Sequence, residues 1–186
     1  VEDGRLRPEG IQELFDQMQN RYQGYAWLGL ADRDGRVLAA GRGHLLGADV
    51  AARPWFVQGM RGPYLGDVHP ALLLAEVLPK GPDGLPPRLV DIAVPVQTDG
   101  QVSSVLAVHL NWDWVVGLLG EFEQNTLRGV KREILLLTRE GRVLHGPAGM
   151  QGEQLAGLPE LAYEDGGPRY WSDGRWRSAA TLIHGN

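Results

Sequence analysis

The 186-residue chain contains no cysteine, which excludes disulfides, Cys-ligated zinc and thiol catalysis. That fits a reducing cytosol or a bacterial envelope protein that dispenses with disulfides. No apolar run approaches the ~18–20 residues needed to span a bilayer, and no signal peptide opens the chain. It reads as a soluble protein or as a soluble piece of one. Its ending favours the piece, since Ser178 to Ile183 reads as a strand and His184-Gly185-Asn186 as a turn. Positive charge is also short, with 18 Lys and Arg against 23 Asp and Glu and a net charge of -5. A broad electrostatic grip on nucleic acid or on an anionic membrane surface is thereby excluded.

Catalytic motifs are missing as well. There is no G-x-S-x-G, and Ser103, Ser104, Ser172 and Ser178 lie in no recognisable nucleophile setting. Gly41-Arg42-Gly43-His44 lacks the length and the lysine of a phosphate loop. The five histidines show no H-x-x-x-H or H-E-x-x-H spacing, so a metal site requires convergence in the fold. No catalytic residue, metal site or cofactor is predicted. A metal-dependent enzyme is the weakest of the alternatives.

What the chain does contain is a repeat. Leu28 to Leu38 reads L-G-L-A-D-R-D-G-R-V-L, and Ile134 to Leu144 reads I-L-L-L-T-R-E-G-R-V-L. With Gly35 on Gly141, each copy is an apolar run, a polar turn ending in Gly and a second apolar run, which is the signature of a β-hairpin. Later turns follow at Thr98-Asp99-Gly100-Gln101 and Ser172-Asp173-Gly174-Arg175. Two similar antiparallel sheets in tandem are therefore predicted. The stretch from Gly35 to Gly100 is about twice that from Gly141 to Gly174, so only the first unit has room for a pocket.

Between these turns the periodicity predicts further elements. Ile11, Leu14, Phe15, Met18 and Tyr22 mark one face of a helix from Pro8 to Gln23, which either packs on the core or forms a dimer. Ala26 to Ala31 and Arg36 to Ala40 form the first hairpin. Pro54 ends any helix before it and starts a short one running through Met60. Pro63 to Val68 reads as a strand, Ala71 to Leu78 as a buried helix or a buried strand, and Pro79 to Pro87 as a surface loop. Leu89 to Val96 and Val102 to Leu110 are nearly continuous apolar runs, predicted to lie at the centre of the first sheet. Asn111 reads as the N-cap of a connecting helix with a stripe of Trp114, Val115, Leu118, Leu119 and Phe122.

The candidate binding residues are Arg53, Trp55, Phe56, Tyr64, Asp67, His69, Asp91 and His109. Asp91 and His109 sit in strands that otherwise read as buried, and a polar group placed there needs a partner or a ligand. Either Asp91 and Arg53 satisfy each other as a structural pair, or the group lines a small-molecule pocket.

On these residues the sequence resembles the double Cache family, the tandem PAS-like extracytoplasmic sensor domains of bacterial membrane receptors. The resemblance rests on R-P-W-F and G-P-Y-L-G-D-V-H between Asp49 and His69, and on V-P-V-x-x-D-G-Q-V from Val94 to Val102. These stretches are similar to sensors found ahead of diguanylate cyclase and histidine kinase modules. The resemblance implies an α+β fold of two tandem PAS-like units with antiparallel sheets, preceded by a long N-terminal helix. Its segments would be 1–24 (helix), 25–110 (membrane-distal ligand-binding unit), 111–129 (connecting helix) and 130–186 (smaller membrane-proximal unit, truncated at its end). It implies a periplasmic sensor, not an enzyme, attached to the membrane by flanking helices outside this chain, with a homodimer through the N-terminal helix as a further option. A structural or dimerising module without a ligand is the alternative.

In the amino-acid-binding branch a Tyr precedes the motif's Arg by five residues, and an Asp lies near the end of the last pocket strand. Here those positions are Ala48 and His109. The departure removes the expected partner of an α-ammonium group and leaves Arg53 to hold a carboxylate. A small organic acid or another polar or anionic metabolite is the implied ligand class.

Overall fold

The computed structural model describes residues 8–81, 84–126, 134–138, 141–147, 149–155, 169–172 and 177–180. The chain divides into two compact units, one reaching to Gly117 and one beginning at Leu118. The fold is α+β, with the N-terminal helix leading into antiparallel sheets.

In the first unit, helix α1 (Pro8–Arg21) is followed by strands β1 (Tyr25–Asp32) and β2 (Val37–Ala40), then helix α2 (Pro54–Gly59) and short strands β3 (Tyr64–Leu65) and β4 (His69–Pro70). Strands β5 (Arg88–Thr98) and β6 (Gln101–Asn111) complete the sheet, and α3 (Trp112–Thr126) follows. The sheet order is β2-β1-β6-β5-β3, with β4 also pairing β5, and all pairs are antiparallel. The two long strands are central, as their apolar runs predict. Asp99 (φ 52°) and Gly100 (φ 77°) turn between them, both in the left-handed region that a tight hairpin turn requires.

Because successive side chains of a strand point to opposite faces, the sheet builds two cores. On one face Leu28, Leu30, Leu106 and Val108 meet Ile11, Phe15 and Met18 of α1. On the other, Trp27, Ala31, Val105, Ala107 and Ala93 meet Trp55 and Phe56 of α2 and Ala71 and Leu74. Helix α1 is also fixed by amides. Gln12 donates to the Ala40 carbonyl and accepts from the Ala40 N–H at 2.9 Å, which satisfies both groups at the edge strand β2. Gln19, 3% exposed, donates to the carbonyl of Ala26 at 2.9 Å. Gln12→Ala leaves two buried backbone groups of Ala40 without these partners, so a loss of about 1–3 kcal/mol is expected in urea unfolding.

Several sequence expectations need correcting. Leu14 of α1 and Tyr22, just past its end at Arg21, are 44% and 51% exposed, so the helix is shorter and its buried face narrower than the apolar spacing implies. Ala71 to Leu78 is neither a buried helix nor a strand but a 3₁₀ turn at Leu73–Glu76, with only Ala71 and Leu74 buried. The strand expected from Pro63 to Val68 is reduced to Tyr64–Leu65. Asn111 does cap α3, its side chain accepting from the N–H groups of Asp113 (2.8 Å) and Trp114 (3.3 Å). The expected stripe of that helix leaves Trp114, Leu118 and Phe122 exposed.

The second unit contains the hairpins β7–β8 (Leu136–Leu137 and Val143–His145) and β9–β10 (Arg169–Ser172 and Arg177–Ala180). The turn residues 173–176 and the end of the last predicted strand lie outside the described residues. Its first hairpin repeats the geometry of the first unit beyond the stretch the sequence aligns. Gly35 and Gly141 both have φ 85°. Asp32 N donates to the Arg36 carbonyl and Thr138 N to that of Arg142, both at 2.9 Å. Downstream, Gly47 N donates to the Val37 carbonyl as Gly152 N does to that of Val143, and Val50 N and Leu155 N return to the carbonyls of Gly35 and Gly141. The repeat therefore includes the loop that leads from the hairpin back across its turn.

Candidate functional site

The site lies on the α2 side of the first sheet. Registers of β1, β6 and β5 place Trp27, His109 and Asp91 side by side across three adjacent strands. Residues directly opposite in antiparallel strands share a face, so all three side chains project towards α2. A β-bulge between Val96 and Gln97 sets this register. Counting back from the Asp99-Gly100 turn without the bulge would put Val108 opposite Asp91 and send His109 to the α1 face.

Asp91 and His109 are 6% and 5% exposed and are bonded to each other, His109 Nδ1 to Asp91 Oδ1. The other carboxylate oxygen lies 2.9 Å from Nε2 of His69 on β4. That oxygen is off the axis of any proton on Nε2, so the close contact is not an aligned hydrogen bond. Burial by itself would raise the Asp91 pKa, but the two imidazoles outweigh it and hold the carboxyl at about 2. Asp91 is ionised at neutral pH. Its contact raises His69, against burial and the positive charge of Arg53, while the Pro70 carbonyl adds to the rise. Tyr64 is raised by burial and by the charges of Asp91 and Asp67, so its hydroxyl keeps its proton as a donor.

The ring of His109 is held between two indoles, its centroid 4.9 Å from Trp27 and 5.6 Å from Trp55. Trp55 packs edge-on against Phe56 at 6.0 Å. Trp27 Nε1 donates to the His44 carbonyl at 2.9 Å, and its ring covers Gly29, where any Cβ would fall within 2.0 Å of the indole. Sequence reasoning missed Trp27. Its signal was its parity with Gly29 and Ala31, which puts it on the pocket side of β1.

Arg53 stands at the N-cap of α2 in extended backbone, its carbonyl accepting from Phe56 and Val57. The structural pair of Arg53 with Asp91 is not formed, because Asp91 is taken by His109 and His69. No carboxylate pairs with Arg53 among the described residues. With Asp49, Ala51 and Ala52 it lines an open groove of about 320 Å³. Of the eight sequence candidates, Trp55, Phe56, Asp91 and His109 are buried, Arg53, Tyr64 and His69 half-buried, and Asp67 exposed. Arg53, Tyr64, Asp67, His69, Asp91 and His109 share one electrostatic neighbourhood.

This architecture is similar to that of the extracytoplasmic ligand-binding domains of histidine kinases and chemoreceptors. The chain aligns over 97% of its length with an extracellular ligand binding receptor from Desulfohalobium retbaense, at TM-score 0.63 and 16% identity. It spans 32% of that receptor, about a third of its length. The sensory domain of a Campylobacter jejuni chemoreceptor with isoleucine bound matches at TM-score 0.61 and 9% identity, over 95% of this chain and 69% of that one. The sensor domain of the V. cholerae histidine kinase DctB matches at TM-score 0.52 and 15% identity, over 95% and 68%. At these identities the likeness is one of fold. No protein-family model and no curated protein matches the sequence. Among the described residues, no helix is long and apolar enough to cross a membrane.

Proposed function

We propose that this chain is the periplasmic ligand-sensing part of a membrane-bound signalling protein, and that its first unit binds a small organic acid or a similar anionic metabolite. The observation that carries the reading is Arg53, a half-buried residue with no carboxylate partner among the described residues, whose charge acts on His69 in a cluster of polar and aromatic side chains. Such a group matches a ligand carboxylate in a two-pronged pair. The fold likeness to ligand-binding sensors supports it, one of them holding isoleucine.

In this reading Arg53 neutralises and orients the ligand, Trp55, Phe56 and Tyr64 wall it, and Asp67, His69, Asp91 and His109 supply polar contacts. The four segments 1–24, 25–110, 111–129 and 130–186 divide the labour, with the second unit as relay. A ligand drives output only by its differential affinity for two arrangements of the receptor. A homodimer through α1 is part of the proposal, supported by the exposure of Leu14 and Tyr22.

A second reading has its own observation: Trp55, Phe56, Asp91 and His109 are 5–6% exposed and satisfied within the core, as in a purely structural module. A thermal-shift screen of small mono- and dicarboxylic acids decides between the two. A binder at a hundredfold excess over its Kd stabilises the fold by about 2.7 kcal/mol. A clear rise in midpoint with one of these acids is expected. A flat response across the screen would leave the structural module.

A further inference from the structure

We propose that His69, Asp91 and His109 bind a divalent transition-metal ion of the zinc class. Their ligand atoms, one from each residue, lie within 4.8 Å of one another. Two imidazole nitrogens and a carboxylate form a donor set that zinc accepts, and three protein ligands leave a fourth position open.

The tautomer of His69 carries the argument. Its Nδ1 lies 2.9 Å from the Pro70 carbonyl oxygen. A carbonyl only accepts, so Nδ1 holds the proton and the neutral ring presents a bare lone pair at Nε2. That lone pair is buried, has no aligned hydrogen-bond partner and faces the Asp91 carboxylate at 2.9 Å. Two acceptors in that position repel each other unless a proton or a cation lies between them. A histidine that binds a metal through one nitrogen usually donates from the other to a carbonyl or carboxylate, which fixes its tautomer and orientation.

Bonds of about 2.0–2.1 Å in a tetrahedral site would set the donors roughly 3.3 Å apart. The Asp91 contacts must open to reach that spacing, and the His69 side chain, 38% exposed, is the most accessible of the three. Arg53 opposes a cation here, since its charge acts on His69, and the Asp91 carboxylate offsets it. The anionic ligand proposed above would suit the open position, and that clause alone rests on the proposed function.

The test is calorimetric titration of chelator-treated full chain with Zn²⁺ in the absence of any organic acid, with Co²⁺ absorption as a second readout. One saturable equivalent and visible Co²⁺ bands are expected. His69→Ala should weaken binding by at least the roughly 10–100-fold seen on losing a residue that only orients a metal ligand. His109→Gln should do the same, and His145→Ala, in the second unit, should change nothing. Should His109→Gln not fold, His69→Ala carries the test, because its side chain lies outside the buried core. No saturable Zn²⁺ binding, or binding that survives His69→Ala in a folded protein, overturns the proposal and assigns the buried gap to a proton. Either result leaves the organic-acid screen to stand or fall separately.

Discussion

Asp91→Ala is expected to cost on the order of 3 kcal/mol in denaturant unfolding, a substantial share of the roughly 5–15 kcal/mol that holds a domain folded. Asp91 is 6% exposed, ionised at neutral pH and engaged by two histidines, so its loss strands both imidazoles. His109 suffers most, being buried between Trp27 and Trp55 with Asp91 as the partner of its Nδ1. Asp91→Asn keeps the shape and one acceptor, and a smaller loss is expected. Equal stability of Asp91→Ala and the parent protein would show that the triad is not a structural keystone of the site.

Trp27→Ala should cost about 3–5 kcal/mol, the usual range for deleting a buried large aromatic. Trp27 is fully buried, packs at a tilt with ring centroids 4.9 Å from His109 and 5.9 Å from Trp55, and ties the 41–47 loop to the sheet through the His44 carbonyl. Its removal opens a cavity directly beneath the site and frees the His109 ring. Unfolding midpoints would record the loss of stability, and near-UV circular dichroism the loss of the packed pair of indoles. Trp27→Phe refills part of the cavity but lacks the indole N–H, so an intermediate value is expected.

Much of this fold was legible because it rests on local rules. Apolar runs around the Asp99-Gly100 turn and around Gly35 specify hairpins, Asn111 supplies the oxygen that two N–H groups at the start of α3 need, and Pro54 starts α2. The repeat announced the second unit. The candidate site was read less completely, for two physical reasons. The bulge at Val96 and Gln97 decides whether His109 faces Asp91, and no turn residue announces it. The pairing of Asp91 depends on where His69 arrives from β4, a long-range placement that spacing along the chain does not encode. Hence Arg53 was as good a partner as histidine in sequence, and Trp27 carried no polar signal to single it out. The outward positions of Leu14 and Tyr22 show the opposite error, in which apolar spacing overstates burial.

The central claim is that Arg53 holds the anionic end of a small ligand. Calorimetric titration of the best organic acid from the screen into the parent protein and into Arg53→Ala tests it most directly. Charge-assisted hydrogen bonds contribute about 1.5–3 kcal/mol, so Arg53→Ala should lower affinity by roughly 10–100-fold while leaving the fold intact. Undiminished binding by Arg53→Ala would contradict the account and place the ligand elsewhere in the chain.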